Sequence, residues 1–106
     1  MHPFEISVQE LFEIQTLDKD AFILDVREAW EIKKAALQGF THIPLSSIPE
    51  NMAGLSNKKP LYVLCHHGVR SLKVALFLRE EGFEAYSVRG GVDAWAREMD
   101  SSVGFY

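Results

Sequence analysis

Apolar residues follow two rhythms along this chain, short unbroken runs and longer stretches with one apolar face. The runs Ala21-Phe22-Ile23-Leu24-Asp25-Val26 and Leu61-Tyr62-Val63-Leu64 are brief and partly β-branched. Such runs predict strands covered on both faces. Glu5-Ile6 predicts a short edge strand, and Thr41-His42-Ile43-Pro44-Leu45 a short strand stopped by Pro44, which has no donor for a ladder. Phe83-Glu84-Ala85-Tyr86-Ser87-Val88 alternates in part and predicts one more.

Helical spacing fills the intervals. Val8, Leu11, Phe12, Ile14 and Gln15 predict a helix to about Thr16, and Ser7 with Glu10 matches a capping box at its start. Glu28 to Ala36 reads as helix, with Lys33 and Lys34 near the end where cations suit the dipole. Ser46 to Glu50 opens another, with Ser47 as cap and Pro49 in the first turn, ending near Gly54. Leu72, Ala75, Leu76 and Leu78 predict a helix from Ser71 to Gly82, a C-cap glycine. Val92, Trp95, Ala96 and Met99 mark a last amphipathic helix. Trp30, Trp95 and Phe77 read as core or packing residues.

Strands that alternate with helices throughout predict an α/β fold, an open, mostly parallel sheet with helices on both faces. Sites in such sheets lie at the carboxyl ends of strands. Two predicted strands end in chemistry. At Asp25-Val26-Arg27 a carboxylate interrupts an apolar run, which is costly unless it is paired. Two readings stay open there: a charge set beside a site, or an Asp capping the next turn with Arg27 and Glu28 solvated. At Cys65-His66-His67-Gly68-Val69-Arg70-Ser71 a cysteine ends a strand just before a helix. The first N–H groups of a helix lack internal acceptors and favour an anion. Arg70 adds a permanent cation, and Gly68 lets the backbone turn inward. Together these favour the thiolate, the nucleophilic form of cysteine. The plainer alternative is a small buried hydrophobe, but a core cysteine has no need of Gly, Arg and Ser at these offsets.

The chain has 106 residues, 47% hydrophobic and 25% charged, which suits one domain over residues 1–106 with one core. No apolar run approaches a membrane span, and Met1-His2-Pro3-Phe4-Glu5 is no secretory signal. A net charge of −4 without a basic cluster argues against nucleic acid as a partner. One cysteine excludes an internal disulfide and points to a reducing, cytoplasmic compartment. A second thiol, if the chemistry needs one, comes from a partner or a small molecule. His66, His67 and His42 lack zinc-ligand spacing, so neither a metal nor a cofactor is expected, and His66 and His67 read as loop-surface residues.

Four stretches now carry a resemblance. Asp25-Val26-Arg27-Glu28-Ala29-Trp30-Glu31, His42-Ile43-Pro44-Leu45, Cys65 to Ser71, and Gly90-Gly91-Val92-Asp93-Ala94-Trp95 stand in the order of a single-domain rhodanese. The resemblance covers nearly the whole chain. It implies a rhodanese-like fold and a thiosulfate sulfurtransferase type of enzyme, in which Cys65 takes a sulfane sulfur as a persulfide. The sulfur then passes to a thiol, cyanide or a protein acceptor. His66, His67, Gly68, Val69, Arg70 and Ser71 would hold the persulfide, Arg70 helping to bind an anionic donor such as thiosulfate. Asp25 and Arg27 would brace the site. Leu37-Gln38-Gly39-Phe40-Thr41 departs from the family's longer glycine-rich stretch, which touches the connecting loop and not the chemistry. The end of the chain, from Trp95 to Val103 and on to Tyr106, is similar to rhodanese domains fused to adenylating enzymes of thiamine and molybdopterin biosynthesis. That likeness hints at a protein acceptor.

Two other functions compete. A Cys-dependent phosphatase or arsenate reductase uses the same thiolate, amides and Arg, but with five residues between Cys and Arg. Here four lie between Cys65 and Arg70, a smaller cradle that suits a terminal sulfur better than a phosphoryl group. A non-catalytic binding or regulatory module on the same fold is the other, although silent members usually lack the cysteine.

Overall fold

The computed structural model describes residues 2–35, 37 and 39–106. The expected helix end at Ala36 and the Gln38 of the connection lie outside the described residues. Strands and helices alternate as the hydrophobic pattern predicts: β1 (Glu5–Ile6), α1 (Val8–Leu17), β2 (Phe22–Asp25), α2 (Ala29–Lys34), β3 (Thr41–His42), α3 (Ile48–Asn51), β4 (Leu61–Leu64), α4 (Val69–Glu80), β5 (Ala85–Val88) and α5 (Gly91–Glu98). Short 3-10 turns occupy Leu45–Ser47, Met52–Gly54 and Ser101–Val103. The strands form one sheet in the order β1-β5-β4-β2-β3, and every pairing is parallel.

Alternation of side chains places the core on both faces of this sheet. Ile23 and Leu64 point to one face, where they meet Val8 and Leu11 of α1, Val88 of β5, and Val92 and Trp95 of α5. Leu24, Leu61 and Val63 point to the other, against Ile48 of α3 and Val74, Ala75 and Leu78 of α4. Leu24, Val63, Leu64 and Leu78 are wholly removed from solvent, each burial stabilising the fold by roughly 1.5–3 kcal/mol. Register then sets up the site. Phe22 to Asp25 pair with Leu61 to Leu64, so Asp25 lies beside Leu64, one residue before Cys65. Two sequence-distant strand ends are thereby level on neighbouring strands.

Local differences from expectation have identifiable causes. The Ser7 capping box forms, its hydroxyl accepting from Glu10 N–H at 3.1 Å and Glu10 Oε1 accepting from Ser7 N–H at 3.1 Å. Helix α4 begins at Val69, two residues before the expected Ser71, because Gly68 at φ +98° supplies the turn into it. Ser71 thus sits in the first turn, where its N–H has no helical acceptor. Strand β5 begins at Ala85, not Phe83, because Phe83 N–H closes the end of α4 on Leu78 O at 3.0 Å. Ser47 makes no side-chain cap. Its N–H donates to Pro44 O at 2.8 Å as part of the preceding 3-10 turn. Trp30 is not a core residue: it is 60% exposed, and α2 buries Glu31 in its place. Among the described residues no helix is long and apolar enough to cross a membrane.

Candidate active site

Cys65 follows the last residue of β4 and points to the face covered by α4. Its residue exposure is 1%, yet its sulfur is not surrounded by carbon alone. Gly68 N–H donates to Sγ at 3.1 Å and Ser71 N–H at 3.3 Å. Ser71 Oγ lies 3.4 Å from Sγ and 2.7 Å from Ser87 Oγ, and Ser87 Oγ lies 3.5 Å from Gly68 O. The two serines are fully buried. Each hydroxyl can donate or accept. The pair therefore suits either state of the sulfur: Ser71 accepts from a thiol, or donates to an anion while Ser87 donates to Ser71. Two backbone donors at the first turn of α4, with a rotatable hydroxyl beside them, form a receptor for a negatively charged sulfur.

The loop keeps this shape because α5 holds its carbonyls outward. Val92 N–H donates to Cys65 O at 2.9 Å and Asp93 N–H to His66 O at 3.0 Å. Such close docking is possible only because residue 91 is glycine. At φ +58°, a Cβ on Gly91 would stand 2.2 Å from Cys65 O and 2.5 Å from His66 O. With these carbonyls drawn to α5, the Gly68 and Ser71 N–H groups face the sulfur.

Beneath the loop lies a network of charged side chains. Arg27 is 0% exposed and Asp25 3%. Arg27 Nε and Nη2 bind the Asp25 carboxylate, Nη2 at 2.8 Å, and Arg27 N–H donates to Asp25 Oδ1 at 3.1 Å. Asp25 thus turns the chain after β2 and pairs with Arg27 at the same time, and Arg27 is buried, not solvated. Arg70 makes a bidentate pair with Glu31, at 2.6 and 2.7 Å. Its hydrogen bonds hold the Glu31 carboxyl down at about 2, against the opposing effect of burial. Tyr106 links the two pairs. Its hydroxyl donates to Glu31 Oε2 at 2.8 Å and accepts from Arg27 Nη1 at 3.2 Å. Burial pushes the Tyr106 phenol up to about 12. Among the described residues no buried side-chain nitrogen or oxygen lacks a hydrogen-bond partner.

His66 lies between two rings. Its centroid is 3.9 Å from that of His67 and 3.8 Å from that of Tyr106. Burial, followed by the neighbouring His67, lowers the His66 pKa and favours its neutral form. His66, His67 and Asp93 have ligand atoms within 4.8 Å of one another. The two imidazoles are stacked only 29° from parallel, so their in-plane lone pairs do not converge on one ion as tetrahedral ligands must.

Residues 7–98 match the Rhodanese-like domain family. The chain belongs to that family. Thiosulfate sulfurtransferase GlpE of Glaesserella parasuis is 33% identical over 103 residues, covering 95% of this chain and 94% of the relative. The Actinobacillus succinogenes protein of the same name is 38% identical over 85 residues, covering 79% and 75%. The crystal structure of a rhodanese-like domain protein from Staphylococcus aureus aligns with a TM-score of 0.81 at 33% identity, covering 90% of this chain and 93% of that one.

Within this rhodanese domain, the sequence-predicted residues separate into groups. Cys65, Gly68 and Ser71 meet at the sulfur. Asp25 and Arg27 form a buried pair one strand away. Arg70 gives two of its N–H groups to Glu31, and its side chain remains 35% exposed beside the loop. Val69 is 65% exposed, and among the described residues the N–H groups that donate to the sulfur belong to Gly68 and Ser71. His67 is exposed as expected, whereas His66 is partly covered by Tyr106. Sequence reasoning quoted Glu31, Gly91 and Tyr106 only as parts of the resembling stretches and gave neither them nor Ser87 a place at the site. The Glu31 signal was readable in part: it stands in the first turn of α2, just after the strand end at Asp25, where a carboxylate suits the helix dipole. Tyr106 carried no local signal.

Proposed function

We propose that this rhodanese domain is a sulfurtransferase that carries a sulfane sulfur as a persulfide on Cys65. The supporting observation is the pair of inward N–H groups, Gly68 and Ser71, on the Cys65 sulfur. In the donor half-reaction the Cys65 thiolate attacks the outer sulfur of thiosulfate. The new S–S bond forms as the S–S bond of thiosulfate breaks, and sulfite departs with the electron pair. The product is a Cys65 persulfide anion. In the acceptor half-reaction cyanide, or the thiolate of a small molecule or protein, attacks the terminal sulfur. Thiocyanate or a new persulfide leaves, and the Cys65 thiolate is restored.

In this mechanism the loop amides and the Ser71 hydroxyl stabilise negative charge on sulfur in both half-reactions. No general base is required if the sulfur is already ionised. Arg70 shapes the loop through Glu31, and Asp25 with Arg27 braces it from the neighbouring strand. Attraction for an anionic donor comes from the loop amides together with the partly exposed Arg70. The names of the relatives, among them thiosulfate sulfurtransferase, support the same reaction class. The four-residue interval between Cys65 and Arg70 supports a cradle too small for phosphoryl transfer.

Near-complete burial of Cys65 favours one competing reading, a rhodanese-fold binding module without turnover. A thiosulfate–cyanide assay on the wild type and Cys65→Ser separates the two. Thiocyanate formation that is lost in Cys65→Ser, with the fold intact by circular dichroism, supports transfer. Equal turnover by both proteins removes Cys65 from the mechanism, and no turnover by the wild type favours the module.

A further inference from the structure

Tyr106 is remote in sequence from residues 65–71, yet its side chain reaches both ends of that loop. At the near end its ring lies flat on His66, the residue next to Cys65, with centroids 3.8 Å apart and planes 11° from parallel. At the far end its hydroxyl donates at 2.8 Å to Glu31 Oε2, the oxygen that also holds Arg70 Nη2 at 2.7 Å. The same hydroxyl accepts from Arg27 Nη1 at 3.2 Å. Trp30 meets the ring edge-on at 6.1 Å.

We propose that Tyr106 is a positioning residue for sulfur transfer, a clamp that fixes the Cys65 loop through His66 at one end and through Glu31 and Arg70 at the other. This rests on the sulfurtransferase reading of the site. Amides stabilise a developing anion best when they are already in place, because reorienting them during reaction costs free energy. The phenol suits the task. It donates to a buried carboxylate and accepts from a buried guanidinium, so each charged group has one more fixed partner beside the Arg70 or Asp25 it already binds. Its ring covers an imidazole that also faces His67, Asp93, Glu31 and Arg70.

The hydroxyl and the ring are separable by substitution. Tyr106→Phe keeps the stack and removes both hydrogen bonds; Tyr106→Leu removes the stack as well. The full chain of each is compared with wild type in the thiosulfate–cyanide assay. His66 is followed in parallel by imidazole NMR titration. In Tyr106→Phe, kcat is expected to fall about fivefold with little change in KM, a loss in the range of an ordinary hydrogen bond, while the His66 midpoint stays at its wild-type position. In Tyr106→Leu, kcat falls further, by roughly thirtyfold, and the His66 midpoint moves upward as water reaches the ring. Turnover within about twofold of wild type in both variants overturns the proposal, even if their melting temperatures fall, since a purely stabilising contact acts in that way. An inactive wild type instead defeats the sulfurtransferase reading. The clamp is then decided by the titration alone, and an unmoved His66 midpoint in Tyr106→Leu overturns it.

Discussion

Around the Cys65 sulfur, the hydrogen-bonding groups among the described residues are two backbone N–H groups and a hydroxyl, supplied by Gly68 and Ser71 of the same loop. The network beneath it differs in both respects. Asp25, Arg27, Glu31, Arg70 and Tyr106 come from separate parts of the chain and act through charged or phenolic side chains. The cradle is polar without formal charge, whereas the network is charged but balanced within itself. The contrast implies a division of labour. Fixed dipoles meet the anion, and ion pairs hold the dipoles still. A free cation at the sulfur would bind the anion more tightly in the ground state, which by itself gives no acceleration. Amides fixed around the sulfur can serve thiolate, persulfide and the transition states between them.

The comparison is broken most severely from the cradle side. Gly91→Ala forces a Cβ against Cys65 O and His66 O at a left-handed φ. We expect a loss of roughly 3 kcal/mol or more in urea unfolding, from overpacking and backbone strain together. The surviving folded protein should transfer sulfur poorly, because the loop carbonyls can no longer dock on α5. Wild-type stability in this variant would show that the docking is dispensable.

The network gives a smaller effect. Glu31→Gln leaves Arg70 without its carboxylate, and because the Arg70 side chain is 35% exposed solvent recovers part of the loss. About 2 kcal/mol of destabilisation is expected, with sulfur transfer reduced and not abolished. The same variant has an acid signature. The Glu31 carboxyl titrates at about 2 in the folded chain against an ordinary 4.5, chiefly through Arg70. Its folded form is the lower of the two, so its stabilisation is complete above the ordinary value and is lost as pH falls from there to about 2. Acid unfolding curves of wild type and Glu31→Gln should therefore converge below the ordinary carboxylate range and diverge above it. Parallel curves would mean that the pair contributes no linked stability.

At the small end, Trp30→Ala should cost about 0.5 kcal/mol or less, since most of the indole is in solvent. A much larger loss would mean that its edge-on contact with Tyr106 is an essential part of the network.

The same division explains what could be read in advance. Strand order aside, the parallel α/β plan followed from the alternation of short apolar runs with helical spacing, because burial on both faces leaves that pattern. Cys65, Gly68 and Ser71 were legible because their geometry is local: a strand end, a glycine with positive φ and a helix start. Arg70 was recognised as a cation, but its partner was not, since pairing with Glu31 depends on how α2 packs beside α4. Of the two readings of Trp30, core or packing, the structure keeps packing, edge-on against Tyr106, because hydrophobicity alone does not say which face of a short helix is covered. Tyr106 was missed because no periodicity links it to the residues it touches.

The central claim is that Cys65 sits in a cradle built to hold an extra sulfur atom as an anion. Intact-mass measurement of the native chain after incubation with thiosulfate, without acceptor, tests it directly. The account predicts a gain of one sulfur atom, located on Cys65 by peptide mapping and removed by cyanide with release of thiocyanate. An unchanged mass, with Cys65 still reduced and open to alkylation in the folded protein, would contradict it.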